Sequence, residues 1–241
     1  LVKLYNSDQT SYYRSSEVEA VIHKALNYWF TAKPVCLNWW YNQIGIPKTL
    51  GTVFILFEKQ LSPVEKQNAI TVMENAKFGM TGQNKVWLAG NVMMRALLQN
   101  DYELVKMARD TIASEIVTGG VEGIKDDWCF HQHGAQQQFG NYGLSFVSGM
   151  SFFSGLFSGT SLAFDDKQLS ILSALIDKGY RWVIWKGMMD VNALGRQLFH
   201  HAPVHKALSL AFAASELGGG ESDECVAVAT ALLRDNYPAP A

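Results

Sequence analysis

The sequence predicts an all-α fold built of antiparallel helical hairpins. Apolar residues recur at three- and four-residue steps along most of the chain, and helix start and stop residues bracket those stretches. Nowhere does a two-residue apolar and polar alternation run between hairpin turns.

The first clear helix is expected over residues 16–30. Ser16 precedes Glu19 by the spacing of a capping box, and Val18, Ile22, Ala25, Leu26 and Trp29 form one apolar face. A second helix follows Pro47 and carries Leu50, Val53, Phe54 and Phe57. The next is announced by Ser62-Pro63-Val64-Glu65. Ser62 can cap, Pro63 lacks an N–H that the first turn would leave unpaired, and Glu65 complements the helix dipole. Further helices are expected over residues 85–99, 102–117, 144–157, 167–185, 204–217 and 223–234, each closed by Gly, Asn, Asp or Pro. Eight or nine such helices with short links imply antiparallel neighbours, as a bundle or as a ring of hairpins. Two long, polar, glycine-bearing loops remain, 34–47 and 119–143, and loops of that kind on a rigid scaffold are where function tends to sit.

Composition narrows the partners. The 241 residues are 48% hydrophobic and 17% charged, which excludes disorder for most of the chain. With 20 basic and 22 acidic residues there is no broad basic surface for nucleic acid or anionic lipid, so any anionic ligand is handled locally. Residues 128–164 contain no Asp, Glu, Lys or Arg, yet the histidines, glutamines and glycines in that window argue against a membrane span and for interior or cleft lining. Cys36, Cys129 and Cys225 have no paired spacing, so neither a disulfide framework nor a thiolate metal site is encoded. The chain starts at Leu1 with no charged and apolar leader, so any signal peptide is expected to have been removed, and the absence of Met at position 1 points to a processed or truncated product.

Four stretches carry candidate chemistry. Asn38-Trp39-Trp40-Tyr41-Asn42-Gln43 places two adjacent tryptophans that cannot both face one helix core; they serve either as packing between helices or as a platform for sugar rings. Thr81-Gly82-Gln83-Asn84 precedes a helix, where Asn84 either caps or offers donors to an anion. Residues 130–143 hold His131, Gln132, His133 and Tyr142 among glycines, with no helical period. The last stretch, Asp190 to Arg196 with Asn192 between, is followed by His200, His201 and His205. The clustered histidines raise a metal-site alternative, but the His-Glu-x-x-His frame of metal hydrolases is missing.

Together these stretches resemble the catalytic α-domain of the polysaccharide lyase family that includes chondroitin AC lyase, hyaluronate lyase and xanthan lyase. The matching residues are Asn38-Trp39-Trp40 with Ile44-Gly45-Ile46-Pro47, Thr81-Gly82-Gln83-Asn84, Glu122-Gly123 leading to His133-Gly134 and Tyr142-Gly143, and Asp190 to Arg196, in the family's order. The resemblance is strongest to the chondroitin AC lyase branch. It implies an incomplete α/α toroid over residues 1–241 as a single catalytic domain. Upstream helices and downstream β-sandwich domains of the same polypeptide are then expected outside it, in a secreted or periplasmic protein.

The resemblance also implies β-elimination at a uronic acid of an acidic polysaccharide, chondroitin or hyaluronan, without metal or cofactor. By position, Asn84 corresponds to the amide that neutralises the uronate carboxylate, His133 and Tyr142 to the catalytic His and Tyr, and Arg196 to the active-site Arg. Trp39 and Trp40 correspond to the aromatic patch, and Asn38, Gln83, Gln132, Asn192 and His200 are expected at the substrate. The chemistry suits these residue types. A proton on C5 is poorly acidic beside a charged carboxylate, and hydrogen bonds from Asn84 and His133 spread the charge that its removal creates. An ordinary phenol titrates near about pH 10, and a cation such as Arg196 favours its ionised form. His133 and Tyr142 are nine positions apart, half a turn out of phase at about 100° per residue, so they converge only if the chain bends, as Gly134 and Gly140 permit. His200 stands where the branch often has a second arginine, and a glutamate and a further aromatic residue from beyond the α-domain are absent. A glycan-binding or scaffolding toroid without turnover, or a xanthan lyase-like activity, are the alternatives.

Overall fold

A computed structural model describes residues 1–218 and 223–236 of the chain. The described residues form ten α-helices and two minimal β-hairpins. The expected domain range, 1–241, includes 219–222 and 237–241, which lie outside the described residues.

The chain divides into two compact units, one of residues 1–79 and 87–111, the other of residues 80–86 and 112–241. The first holds α1 (Val2–Asn6), α2 (Ser16–Ala32), α3 (Ile46–Leu56) and α4 (Pro63–Met73). Ile22, Leu26 and Phe30 of α2 meet Phe54 of α3 and Ile70 and Met73 of α4 in a buried core. Helix α5 (Gly82–Gln99) begins in the second unit and runs into the first, and α6 (Tyr102–Ala113) follows. The second unit then has β1 (Gly123–Ile124) paired antiparallel with β2 (Phe130–His131), α7 (Leu144–Phe157) and α8 (Asp166–Ala174). It is completed by β3 (Ile184–Trp185) paired with β4 (Met188–Met189), α9 (Ala202–Gly218) and α10 (Asp223–Asn236). Helix α9 packs against both α7 and α10, and the Ser151 hydroxyl of α7 donates to the Ala213 carbonyl of α9 at 3.0 Å.

Several expected boundaries move. The N-cap of α2 is Ser15, whose side chain accepts from the Val18 N–H, so Ser16 is the first helical residue and not the cap. The capping box at Ser62 and Glu65 forms as expected, and Asp165 with Gln168 makes a second one. The helix expected over residues 167–185 breaks after Ala174 into a π-helical turn, Leu175–Gly179, a 3₁₀ turn and strand β3. Asn84 does not cap, because α5 starts two residues earlier at Gly82. Both expected loops carry a π-helical turn, Tyr41–Gly45 ahead of α3 and Phe139–Gly143 ahead of α7.

Candidate active site

Tyr142 lies on the π turn Phe139–Gly143, which tertiary contacts hold in place. The wholly buried Tyr180 donates its hydroxyl to the Phe139 carbonyl at 2.9 Å, and the Lys206 ammonium donates to the Gly140 carbonyl. Neither glycine of the turn has room for a side chain. A Cβ on Gly140 would lie 2.7 Å from the Ala193 carbonyl oxygen, and one on Gly143 would lie 2.5 Å from the Tyr180 hydroxyl. The extra residue of a π turn re-aims the side chains around it, which is why such turns recur at functional sites.

Two groups converge on the Tyr142 hydroxyl. His133 Nε2 is 3.0 Å away, its ring edge-on to the phenol, and Arg196 donates from Nη2 at 3.3 Å. Arg196 also stands 5.7 Å from the ring centroid, within cation–π range. Tyr142 is buried, while His133 and Arg196 are exposed. The buried hydroxyl is therefore flanked by an imidazole and a guanidinium, both on exposed residues.

His133 reaches this position from the turn after β2. Its backbone is left-handed, φ 59°, an arrangement that costs a non-glycine residue about 1 kcal/mol or more and persists only where neighbours enforce it. Glu122 is the enforcer. Its Oε1 accepts from the Gly134 N–H at 3.0 Å, and its Oε2 accepts from the Thr81 hydroxyl at 2.5 Å and from the Gln132 amide. The Gln132 side-chain oxygen Oε1 in turn accepts from the Gln83 backbone N–H at 2.9 Å. The turn carrying His133 and the start of α5 carrying Asn84 are thus tied together through one carboxylate and one amide.

The same approach explains Gly82. Its φ is +58°, and a Cβ there would lie 2.4 Å from Gln132 Oε1, so the contact requires glycine. Glu115 accepts from the Gly82 N–H at 2.7 Å and pairs with Lys85 at 2.9 Å, closing the first turn of α5. Within that turn Gln83 and Asn84 are buried. Neither polar atom of the Gln83 amide, nor Oδ1 of Asn84, has a hydrogen-bond partner. Such orphaned groups cost about 1–3 kcal/mol each and call for a role outside packing.

Of the residues expected at the substrate, Gln83 and Gln132 are buried, and the Gln132 amide is engaged by protein groups. Asn192 and His200 are exposed in the segment that carries Arg196; Asp190 caps a short 3₁₀ turn there by accepting from the Asn192 N–H at 2.7 Å. The His200 and His201 rings lie 3.8 Å apart between centroids, tilted at 52° to each other. Among the described residues no group of three His, Cys, Asp or Glu is arranged to hold a metal ion.

Asn38, Trp39 and Trp40 belong to the first unit, and the two adjacent tryptophans differ in burial. Trp39 is 44% exposed, whereas Trp40 packs edge-on to Trp87 at 5.5 Å and joins a small buried cluster with Ile44, Ala76 and Leu88. Asn38 Oδ1 accepts from the Trp40 N–H at 3.0 Å, and Asn42 bridges the N–H and carbonyl of Cys36, so the loop is pinned at both ends.

Sequence reasoning missed Glu115, Tyr180 and Lys206, and had Glu122 only as part of a motif. Lys206 had a legible signal, a lone cation on the buried row Ala202, Lys206, Leu210, Ala214 of α9. Burial lowers its pKa, and burial raises that of Tyr180 well above the phenol range, so Tyr180 stays a donor.

Comparison with known proteins is consistent across sequence and fold. The family description "Polysaccharide lyase family 8, N terminal alpha-helical domain" matches residues 1–216. The chain is 30% identical over 201 residues to a chondroitinase-AC of Pedobacter heparinus, covering 81% of this chain and 29% of that protein. It is 26% identical to a xanthan lyase of Bacillus sp., covering 78% and 22%, and 25% identical to the hyaluronate lyase HylB of Enterococcus faecalis, covering 86% and 23%. The chain thus spans about a quarter of the length of these relatives. Among solved structures, Paenibacillus xanthan lyase superposes with a TM-score of 0.87 over 98% of this chain and 24% of its own, at 21% identity. A chondroitinase AC lyase solved with oligosaccharides superposes with a TM-score of 0.83 over 98% and 36%, at 26% identity. The all-α class and the helical toroid fold implied by the resemblance are those of these neighbours. The chain belongs to polysaccharide lyase family 8, to its N-terminal α-helical domain.

Proposed function

We propose that this chain is the catalytic α-domain of a lyase that cleaves a uronate-containing glycosaminoglycan, chondroitin or hyaluronan, by β-elimination. The observation that carries the reading is the Tyr142 hydroxyl held between His133 at 3.0 Å and Arg196 at 3.3 Å. Tyr142 takes the C5 proton, the C4–oxygen bond breaks as the C4–C5 double bond forms, and the same phenol returns the proton to the leaving oxygen. Arg196, donating to the phenol oxygen at 3.3 Å, pairs with the negative charge that this oxygen carries when it acts as the base. Asn84, with His133, donates to the uronate carboxylate as charge moves onto it, which lowers the barrier most where water is excluded. In the first unit Trp39 and Trp40, with Asn38, offer aromatic surface to sugar rings; in the second, Asn192 and His200 offer polar contacts, and the buried Gln83 and Gln132 hold the start of α5 to the turn of His133. The domain works within a longer, exported polypeptide carrying β-sandwich domains; the greater length of the relatives supports this.

Incubation of the full-length protein with chondroitin, hyaluronan and xanthan tests the reading through the ultraviolet absorbance of the unsaturated product. Absorbance rising with the first two is expected; a rise with xanthan alone would move the substrate to that polymer, and no rise with any would sink the lyase reading. Tyr142→Phe should lower turnover by about 10³-fold or more without unfolding, the scale of a lost acid–base group. Retained turnover would remove Tyr142 as the base.

A further inference from the structure

The proposed elimination needs Tyr142 and Arg196 in register, yet they come from segments far apart in sequence, the π turn Phe139–Gly143 and the loop after Gly195. One side chain touches both. Lys206, on α9 and only 5% exposed, donates from Nζ to the Gly140 carbonyl inside the π turn and to Gln197 Oε1 at 2.7 Å, next to Arg196. A buried ammonium is costly, and both of these acceptors are neutral. Its neighbours on the same row of α9, Ala202, Leu210 and Ala214, are wholly buried and apolar, so packing alone would favour an apolar residue at this position.

We infer that Lys206 is a positioning residue of the active site, a clasp that ties the turn carrying Tyr142 to the loop carrying Arg196 and fixes the approach of the guanidinium to the phenol. The inference rests on the lyase reading for its effect on turnover, and on geometry alone for its effect on the two segments. Lys206 touches no substrate; it acts through Tyr142 and Arg196. The pair it holds is sensitive, since a displacement of about 1 Å in a reacting group can cost about 10²-fold in rate.

The test uses the full-length protein with Lys206→Met, which keeps the length of the stem and removes the charge. Turnover should fall about 10²-fold with KM within about threefold of wild type. In an Arg196→Ala background the same substitution should cost less than about threefold more, because a clasp has little left to align; a purely structural residue would give additive losses. Wild-type turnover in Lys206→Met, or an equal loss in both backgrounds, would overturn the inference. If circular dichroism shows that Lys206→Met does not fold, Gln197→Leu takes its place, with a loss of about tenfold expected and unchanged turnover overturning the idea. Should the wild-type protein release no unsaturated product, the lyase reading fails by itself, and amide exchange decides on the clasp. Peptides covering 139–143 and 194–201 should exchange faster together in the variant that folds, and unchanged exchange in both would refute the clasp.

Discussion

Two buried tyrosines separate structure from chemistry at the level of single residues. Tyr180 donates to the Phe139 carbonyl in a wholly buried setting, so it stays protonated and serves as a strut. Tyr142 instead meets an imidazole and a guanidinium, both on exposed residues. Glu122 has a comparable structural part on the His133 side. One of its oxygens holds the Gly134 N–H, and the other holds Thr81 and Gln132. Glu122→Ala removes the acceptor for three donors at once and releases the left-handed backbone of His133. A destabilisation of about 2–4 kcal/mol is expected in denaturant unfolding, since each donor stripped of its partner costs about 1–3 kcal/mol and partial access of water offsets some of it. Turnover should fall with it even well below the unfolding midpoint. Glu122→Gln, which keeps two acceptor positions on one oxygen and adds donors that face donors, should lose turnover as well. Wild-type rates in both variants would show that the His133 turn holds without the carboxylate.

At the scale of elements, the helices with strong local signals were legible and those shaped by distant contacts were not. Helix α4 was announced by Ser62, Pro63 and Glu65, and its capping box is present. The bounds of α7 follow directly from its apolar run between Gly143 and Ser158. The break after Ala174 has no local cause that a periodicity can register: the chain leaves the α-helix where Tyr180 must reach the Phe139 carbonyl and Gly179 must pass beneath the Trp128 carbonyl. The candidate site residues Asn84, His133, Tyr142 and Arg196 rest on motif resemblance, and the structure brings His133 and Arg196 to the Tyr142 hydroxyl. Their supports could not be read in that way, because Glu122, Gln132 and Lys206 act through partners in other segments. The bend between His133 and Tyr142 was foreseen at Gly134 and Gly140. The second of these is a point of close packing against Ala193 and has an ordinary backbone.

Helix α4 also gives a prediction with a sign. Burial raises the pKa of Glu65, but hydrogen bonds from His23 and from Ser62 outweigh it and bring the carboxyl below its usual range. A folded-state pKa below the unfolded value means that this carboxylate stabilises the protein above the unfolded pKa, about 4.3, and that the contribution disappears as pH falls through the lower folded value. Glu65→Gln should therefore cost about 1 kcal/mol at neutral pH, the scale of a lost cap and its partner. The difference from wild type should shrink once the medium is acid enough to protonate Glu65 in the folded protein. A penalty that stays constant from neutral to acid conditions would show that the side chain contributes by packing and not by charge.

For the whole molecule, the sparse charge makes a claim about how an anionic polymer is held. With 20 basic against 22 acidic residues the net charge supplies no long-range attraction to the proposed polyanion, so the lyase reading expects contact through a few cations near the site. Arg196 is exposed and stands at the Tyr142 hydroxyl. Each cation that pairs with a charge on a flexible polyanion releases roughly 0.7 of a counterion, so the logarithm of affinity falls with the logarithm of salt at a slope set by the number of such pairs. One or two pairs give a slope of about −0.7 to −1.4, whereas a broad basic face of six or more gives one steeper than about −4. Equilibrium binding of the Tyr142→Phe protein to chondroitin, followed across salt concentrations so that turnover does not intervene, should give the shallow slope. Arg196→Ala should flatten it further by about 0.7. A steep slope that Arg196→Ala leaves unchanged would locate recognition in charges away from this site, and the local reading of the chain's electrostatics would have to be abandoned.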